Sequence, residues 1–187
     1  MGKGGEFERN ISKFLTKWLT GSKKPYMFWR QDASGGLATV HAENTHLTGD
    51  ITYLHPEAKF FCDVFSIECK TGYPRTSIWQ HFNKTKFNIE DFWNQALTDA
   101  KKSDKYPMLI YRKKGRKEIV GINSDVSNYF WKQLNDLNSI IISFGSRTYP
   151  REELNPVYFE NCIFYDMKDF FERVKPNDIM NLLEKKK

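Results

Sequence analysis

Apolar residues recur at helical spacing over residues 6–20, where Phe7, Ile11, Phe14, Leu15 and Trp18 share one face. This predicts an amphipathic helix with Gly21 as its C-terminal cap. Residues 26–30 (YMFWR) predict a short buried strand, and the polar stretch 31–48 a loop turning at Gly35–Gly36. Residues 49–54 (GDITYL) predict a strand, His55–Pro56–Glu57 a turn, and residues 60–70 (FFCDVFSIECK) a second strand. Residues 71–86 are basic and irregular, broken by Gly72 and Pro74. A second amphipathic helix over 88–103 places Ile89, Phe92, Trp93, Ala96, Leu97 and Ala100 on its apolar face. Pro107 then precedes a strand reading MLIYR, and a hairpin across Lys114–Gly115–Arg116 leads to another strand at 117–122. A helix is expected near 126–135 and strands near 139–144 and 161–165. A helical stretch follows from 167 onward, divided at Pro176. Helix, strands, helix, strands is the order of an α/β fold with a mixed central sheet.

The chain has 187 residues, with 40% hydrophobic and 28% charged residues, and a mean hydropathy of −0.64. These values describe a globular chain with a core of its own. No apolar run approaches the roughly 20 residues of a membrane span, and the N-terminus lacks the apolar segment of a secretory signal. Three widely spaced cysteines, Cys62, Cys69 and Cys162, read as reduced thiols, so the expected location is the cytoplasm. The net charge of +6 is uneven. Residues 1–60 carry 8 basic and 6 acidic side chains, residues 61–117 carry 12 and 6, and residues 118–187 carry 9 and 11. The basic middle third points to a polyanion, with nucleic acid the first candidate.

Candidate chemistry centres on Gly49–Asp50 and on the strand ending Ile67–Glu68–Cys69–Lys70. Side chains alternate along a strand, so Phe65, Ile67 and Cys69 face one way and Ser66, Glu68 and Lys70 the other. Glu68 and Lys70 then stand about 7 Å apart on one face. If the strand that follows Asp50 lies beside this one, the two carboxylates converge on one point. A pair of carboxylates is a hard oxygen site of the kind Mg²⁺ prefers, and an adjacent lysine can hold a water and stabilise phosphate charge. Alone, Glu-x-Lys on a strand is equally a surface ion pair.

With Glu8 on the first helix and Gln95 on the second, the pattern Asp50…Glu68-x-Lys70 resembles the PD-(D/E)xK nuclease superfamily. Gly49 stands where the eponymous proline would be. Glu8–Arg9 on the first helix resembles archaeal-type Holliday junction resolvases, and the segment Trp29–Gly36 resembles the Arg…Ser-Gly element of resolvase-like and phage-type members. The resemblance covers residues 5–122. It implies a restriction-endonuclease-like α/β core, with a central mixed sheet flanked by helices, over 1–122 of a single domain. Residues 123–187 would be a C-terminal α/β extension without an assigned role. It further implies that Asp50, Glu68, the main-chain carbonyl of Cys69 and Glu8 hold Mg²⁺, with Mn²⁺ able to substitute. Lys70 would orient the attacking water and Gln95 would support it, while Arg30 and Ser34 would touch DNA or the scissile phosphate.

The implied activity is Mg²⁺-dependent endodeoxyribonuclease cleavage of branched DNA by a homodimer. The alternatives are a restriction, repair or phage DNA-processing nuclease on the same core, or a catalytically silent DNA-binding module. Arg75, Lys84, Lys86, Lys101, Lys102, Lys105, Arg112, Lys113, Lys114, Arg116 and Lys117 are the further candidates for phosphate contact. Tyr73 and Trp79 are candidates for stacking on bases. The four histidines, 41, 46, 55 and 81, show no zinc spacing, and Gly2–Gly5 lacks the phosphate-loop pattern.

Overall fold

The computed structural model describes residues 3–22, 25–31, 48–73, 88–145 and 159–186. The first helix, α1, runs Lys3–Thr20 and buries Phe7, Ile11 and Leu15, as the apolar spacing requires. Strands β1 (Phe28–Arg30) and β2 (Ile51–Tyr53) form a two-stranded antiparallel ribbon.

The segment expected as one strand over 60–70 divides. Pro56–Ala58 makes a 3-10 turn, Lys59–Val64 forms helix α2, and strand β3 begins only at Phe65, ending at Thr71. The aromatic run FFC suggested a strand, but Ala58, Phe61, Cys62 and Phe65 are spaced i, i+3, i+4, i+7 and are all buried. Tertiary burial of that stripe, started by Pro56 at a helical N-terminus and accompanied by a Lys59–Asp63 ion pair, overrides strand propensity.

Helix α3 (Asn88–Lys102) crosses from β3 to its parallel neighbour β4 (Tyr106–Arg112). Parallel strands need such a crossover. Strand β4 includes Pro107, which lies opposite Ser66 near the start of the ladder. A turn at Gly115 (φ 73°) leads to β5 (Glu118–Asn123). The helix expected near 126–135 is two short ones, α4 (Ser124–Tyr129), whose first turn is capped by Asn123, and α5 (Trp131–Leu134). Strands β6 (Ser139–Gly145) and β7 (Phe159–Asp166) follow, then α6 (Met167–Arg173) and α7 (Pro176–Lys186).

Among the described residues the main sheet has five strands in the order β3-β4-β5-β7-β6, parallel only between β3 and β4. One face carries Leu109, Tyr111, Ile142, Phe144, Cys162 and Phe164 against α3. The other carries Ile67, Cys69, Met108, Ile110, Val120, Ile122, Ile163 and Tyr165 against α1, α2, α6 and α7. Residues beyond 123 are built into this sheet and core: β7 is an interior strand, and Trp18 Nε1 on α1 donates to the Val174 carbonyl at 3.1 Å. No helix among the described residues is long and apolar enough to cross a membrane.

Candidate active site

The site lies on β3, the end strand of the sheet among the described residues, where the chain entering β2 meets it. Gly49 bridges Ile67 in parallel register with φ 91°, and a Cβ there would fall 2.6 Å from the Ile67 nitrogen and 2.7 Å from its oxygen. Only glycine fits this close backbone approach at positive φ. Proline, locked near −65°, cannot adopt it, which accounts for glycine where the resemblance leads one to expect proline.

The approach fixes Asp50 at two points. Its N–H donates to the Ile67 carbonyl at 2.7 Å, and its Oδ2 accepts the Cys69 N–H at 2.8 Å. The two bonds straddle Glu68 on β3. The Asp50 carbonyl in turn accepts the Gln31 N–H at 2.8 Å, tying the end of β1 to the same point.

Strand alternation holds along β3: Phe65, Ile67 and Cys69 enter the core shared with α1, and Lys70 points toward α3, its Nζ 5.9 Å from the Phe92 ring centre. Glu68 is 2% exposed. Burial, then the neighbouring Asp50 charge, pushes its carboxyl up to about 7. Burial also raises Asp50, opposed by the Cys69 N–H and by Lys70. For Lys70 burial favours the neutral form, but pairing with Glu68 and Asp50 outweighs it, so the ammonium is held more firmly than usual. Lys70 Nζ makes an ion pair with Glu68 Oε1. This ion pair lowers the Glu68 carboxyl, but it does not cancel burial and the Asp50 charge.

Glu8 of α1 reaches the same cluster. Its carboxyl is raised by burial and then by Asp50, against the opposing charge of Arg30, whose Nη1 is 3.8 Å from Glu8 Oε2. Gln95 is exposed on α3, on the stripe that runs from Phe92 to Asp99 at i, i+3, i+7. Asp99 is the residue the sequence reading passed over. Its charge raises both Asp50 and Glu68, and it pairs with Lys102 at 2.9 Å. The available signal was its place two helical turns beyond Phe92. Cys69 is buried with its thiol held well above the ordinary range by burial, which makes it core and not a nucleophile.

Of the basic candidates, Arg112 lies over the Phe7 ring at 4.8 Å and pairs with Glu118 at 3.3 Å. Lys113 is half-buried, while Lys114, Arg116 and Lys117 are exposed on the β4–β5 turn, Lys117 within 3.5 Å of Asp166. Tyr73 is exposed and leans on Phe92 at 4.6 Å. Ser34, Arg75, Lys84, Lys86 and Trp79 lie outside the described residues, as do His41, His46 and His81.

Among the described residues no group of three or more His, Cys, Asp or Glu side chains is placed to hold a metal ion by itself. The cluster instead presents the carboxyls of Glu8, Asp50 and Glu68 beside strand backbone, all three raised by burial against the opposing charges of Lys70 and Arg30. Those donors suit a hard cation that completes its shell with water and phosphate oxygens.

No curated protein and no solved structure matches the chain. The model of a family described as "Phage putative PDDEXK endonuclease" matches residues 1–181. That span takes in Glu8, the strand bearing Glu68 and Lys70, and the interior strand and helices beyond residue 123. The chain therefore belongs to this phage family of the PD-(D/E)xK nuclease superfamily.

Proposed function

We propose that the protein is a divalent-metal-dependent endodeoxyribonuclease, working with Mg²⁺, that hydrolyses DNA phosphodiester bonds. The observation that carries this reading is the double attachment of Asp50 across Glu68, which sets two carboxylates together at the edge of β3. Asp50, Glu68 and the Cys69 carbonyl would hold the ion, with Glu8 contributing directly or through water. A bound divalent ion supplies Lewis acidity toward the phosphate and lowers the pKa of a coordinated water.

The chain's own groups divide the remaining work. Asp50 spends Oδ2 on the Cys69 N–H, which fixes the carboxylate's orientation and leaves Oδ1 for a ligand. Lys70, held protonated by its acidic neighbours, acts as a donor that orients water and offsets phosphate charge, not as a base. Asp50 repels both Glu68 and Glu8, and a cation shared by these carboxylates would relieve that repulsion. Gln95, exposed between Phe92 and Asp99, lies within the same helical stripe and would approach substrate or water.

Branched DNA is the favoured substrate and a homodimer the favoured assembly, both on the likeness of the Glu8 helix to junction resolvases. The exposed cations Lys114, Arg116 and Lys117, with Arg112, would make phosphate contacts that carry no sequence preference. A phage DNA-processing nuclease acting on linear duplex is the second reading, favoured by a family match that runs through the C-terminal third.

The test is cleavage of plasmid, linear duplex and synthetic four-way junctions with Mg²⁺, by wild type, Asp50→Ala and Lys70→Ala. Cleavage by wild type and a loss of at least about 10³-fold in each variant is expected. Equal cleavage by all three removes these residues from the reaction, and preference for linear duplex selects the second reading.

A further inference from the structure

Two glycines occupy the first turn of α1, where alanine would favour the helix more. Their surroundings differ. A Cβ on Gly4 would make an ordinary contact, 3.7 Å from Glu8 Oε1. A Cβ on Gly5 would fall 2.4 Å from Arg30 Nη1 and 3.6 Å from Arg30 Cζ. The guanidinium therefore occupies the space that a side chain at position 5 would need, one turn before Glu8.

The other end of Arg30 is fixed independently. Arg30 pairs with Ile51 in the β1–β2 ribbon, and the next residue, Gln31, donates its N–H to the Asp50 carbonyl. The same backbone that holds Asp50 thus carries Arg30, whose Nη1 lies 3.8 Å from Glu8 Oε2. A flat guanidinium suits such a slot, and the compact head of a lysine does not fill it.

From this packing we infer that Gly5 is a notch that seats the Arg30 guanidinium against α1, and that Arg30 is a positioning residue which holds the Glu8 carboxylate at the Asp50–Glu68 cluster. The inference deepens the nuclease reading and rests on it for its effect on cleavage, but the seating itself does not.

Because the atom displaced by a methyl group at position 5 is the tip of a flexible side chain, Gly5→Ala swings Arg30 away and leaves the helix standing. Wild type, Gly5→Ala, Arg30→Ala and the double variant are compared in the full chain by thermal melting and by single-turnover cleavage at saturating DNA with Mg²⁺. Gly5→Ala and Arg30→Ala are each expected to lose about tenfold in the saturated rate. The double variant is expected to lose no more than Arg30→Ala alone. In melting, Gly5→Ala is expected to raise Tm by about 2 °C in the Arg30→Ala background, as alanine's helix preference requires, and by less in wild type.

Wild-type cleavage by Gly5→Ala, or losses that multiply in the double variant, overturns the role of the notch. If wild type does not cleave DNA, the nuclease reading fails and the melting cycle still decides the seating: equal shifts in both backgrounds overturn it, and a larger shift without Arg30 upholds it.

Discussion

Glu68 concentrates the conflict between folding and function in one side chain. Its carboxyl, pushed up to about 7 by burial and by Asp50, binds a proton more tightly in the native chain than in the unfolded one, where it titrates near 4.5. Native protein therefore holds more protons across that window, and this group's destabilising effect sets in as pH rises from about 4.5 through about 7. Asp50, also raised, acts in the same direction. Metal-free protein should melt at a higher temperature at pH 5.5 than at pH 8. Glu68→Gln should raise Tm at pH 8 by several degrees, shrink the pH dependence and abolish cleavage, the stability–activity trade expected of a charged site. Melting curves at the two pH values check this, and an unchanged pH dependence in Glu68→Gln would show that the buried carboxyl is not the source. At this scale the sequence was informative. The neighbourhood of Glu68 and Lys70 was legible because strand alternation is a local property, whereas the approach of Asp50 depends on the bridge between Gly49 and Ile67. The slot for Arg30 over Gly5 and the influence of Asp99 were not legible, since both depend on how distant segments pack.

The elements show where local reading fails. The sequence FFCDVF has the aromatic content of a strand, yet its first part is helix α2, because Ala58, Phe61, Cys62 and Phe65 bury one helical stripe. Phe61 is the centre of that choice. It is fully buried, with ring centres at 5.3 Å from Trp18, 5.6 Å from Phe28 and 5.3 Å from Phe65. Helix α2 leads directly into β3, so its packing also fixes where Glu68 and Lys70 stand. Phe61→Ala is expected to cost about 3–5 kcal/mol, measured by denaturant unfolding. A loss under about 1 kcal/mol would mean that the α2 stripe does not anchor the strand. Helices α1 and α3 were legible from their apolar spacing because each packs one face on the sheet. The position of Gln95 on α3 was legible too, but not that Asp99, further along the same stripe, couples more clearly to the carboxylates.

For the molecule as a whole, the sheet order decides how the chain can be divided. Strand β7 lies between β5 and β6, so the C-terminal third shares one sheet with the strand bearing Glu68 and one core with α1. The sequence alone offered no reason to expect this. Strand order is set by pairing between segments far apart in the chain, and the motif-bearing part ended near residue 122. A chain stopped after Asn123 would expose the paired edge of β5 and uncover Val120 and Ile122, which are fully buried in the intact protein. It should show no cooperative thermal transition, and a sharp melting curve from that fragment would contradict the account of a single core.

The claim on which the rest depends is that Asp50 and Glu68 serve one cation. Calorimetric titration of the purified chain with Mn²⁺ addresses it without reference to any DNA substrate. Saturable binding by wild type, weakened at least about tenfold by Asp50→Ala and by Glu68→Gln alike, is the expected result. Binding that either substitution leaves intact would contradict a shared site.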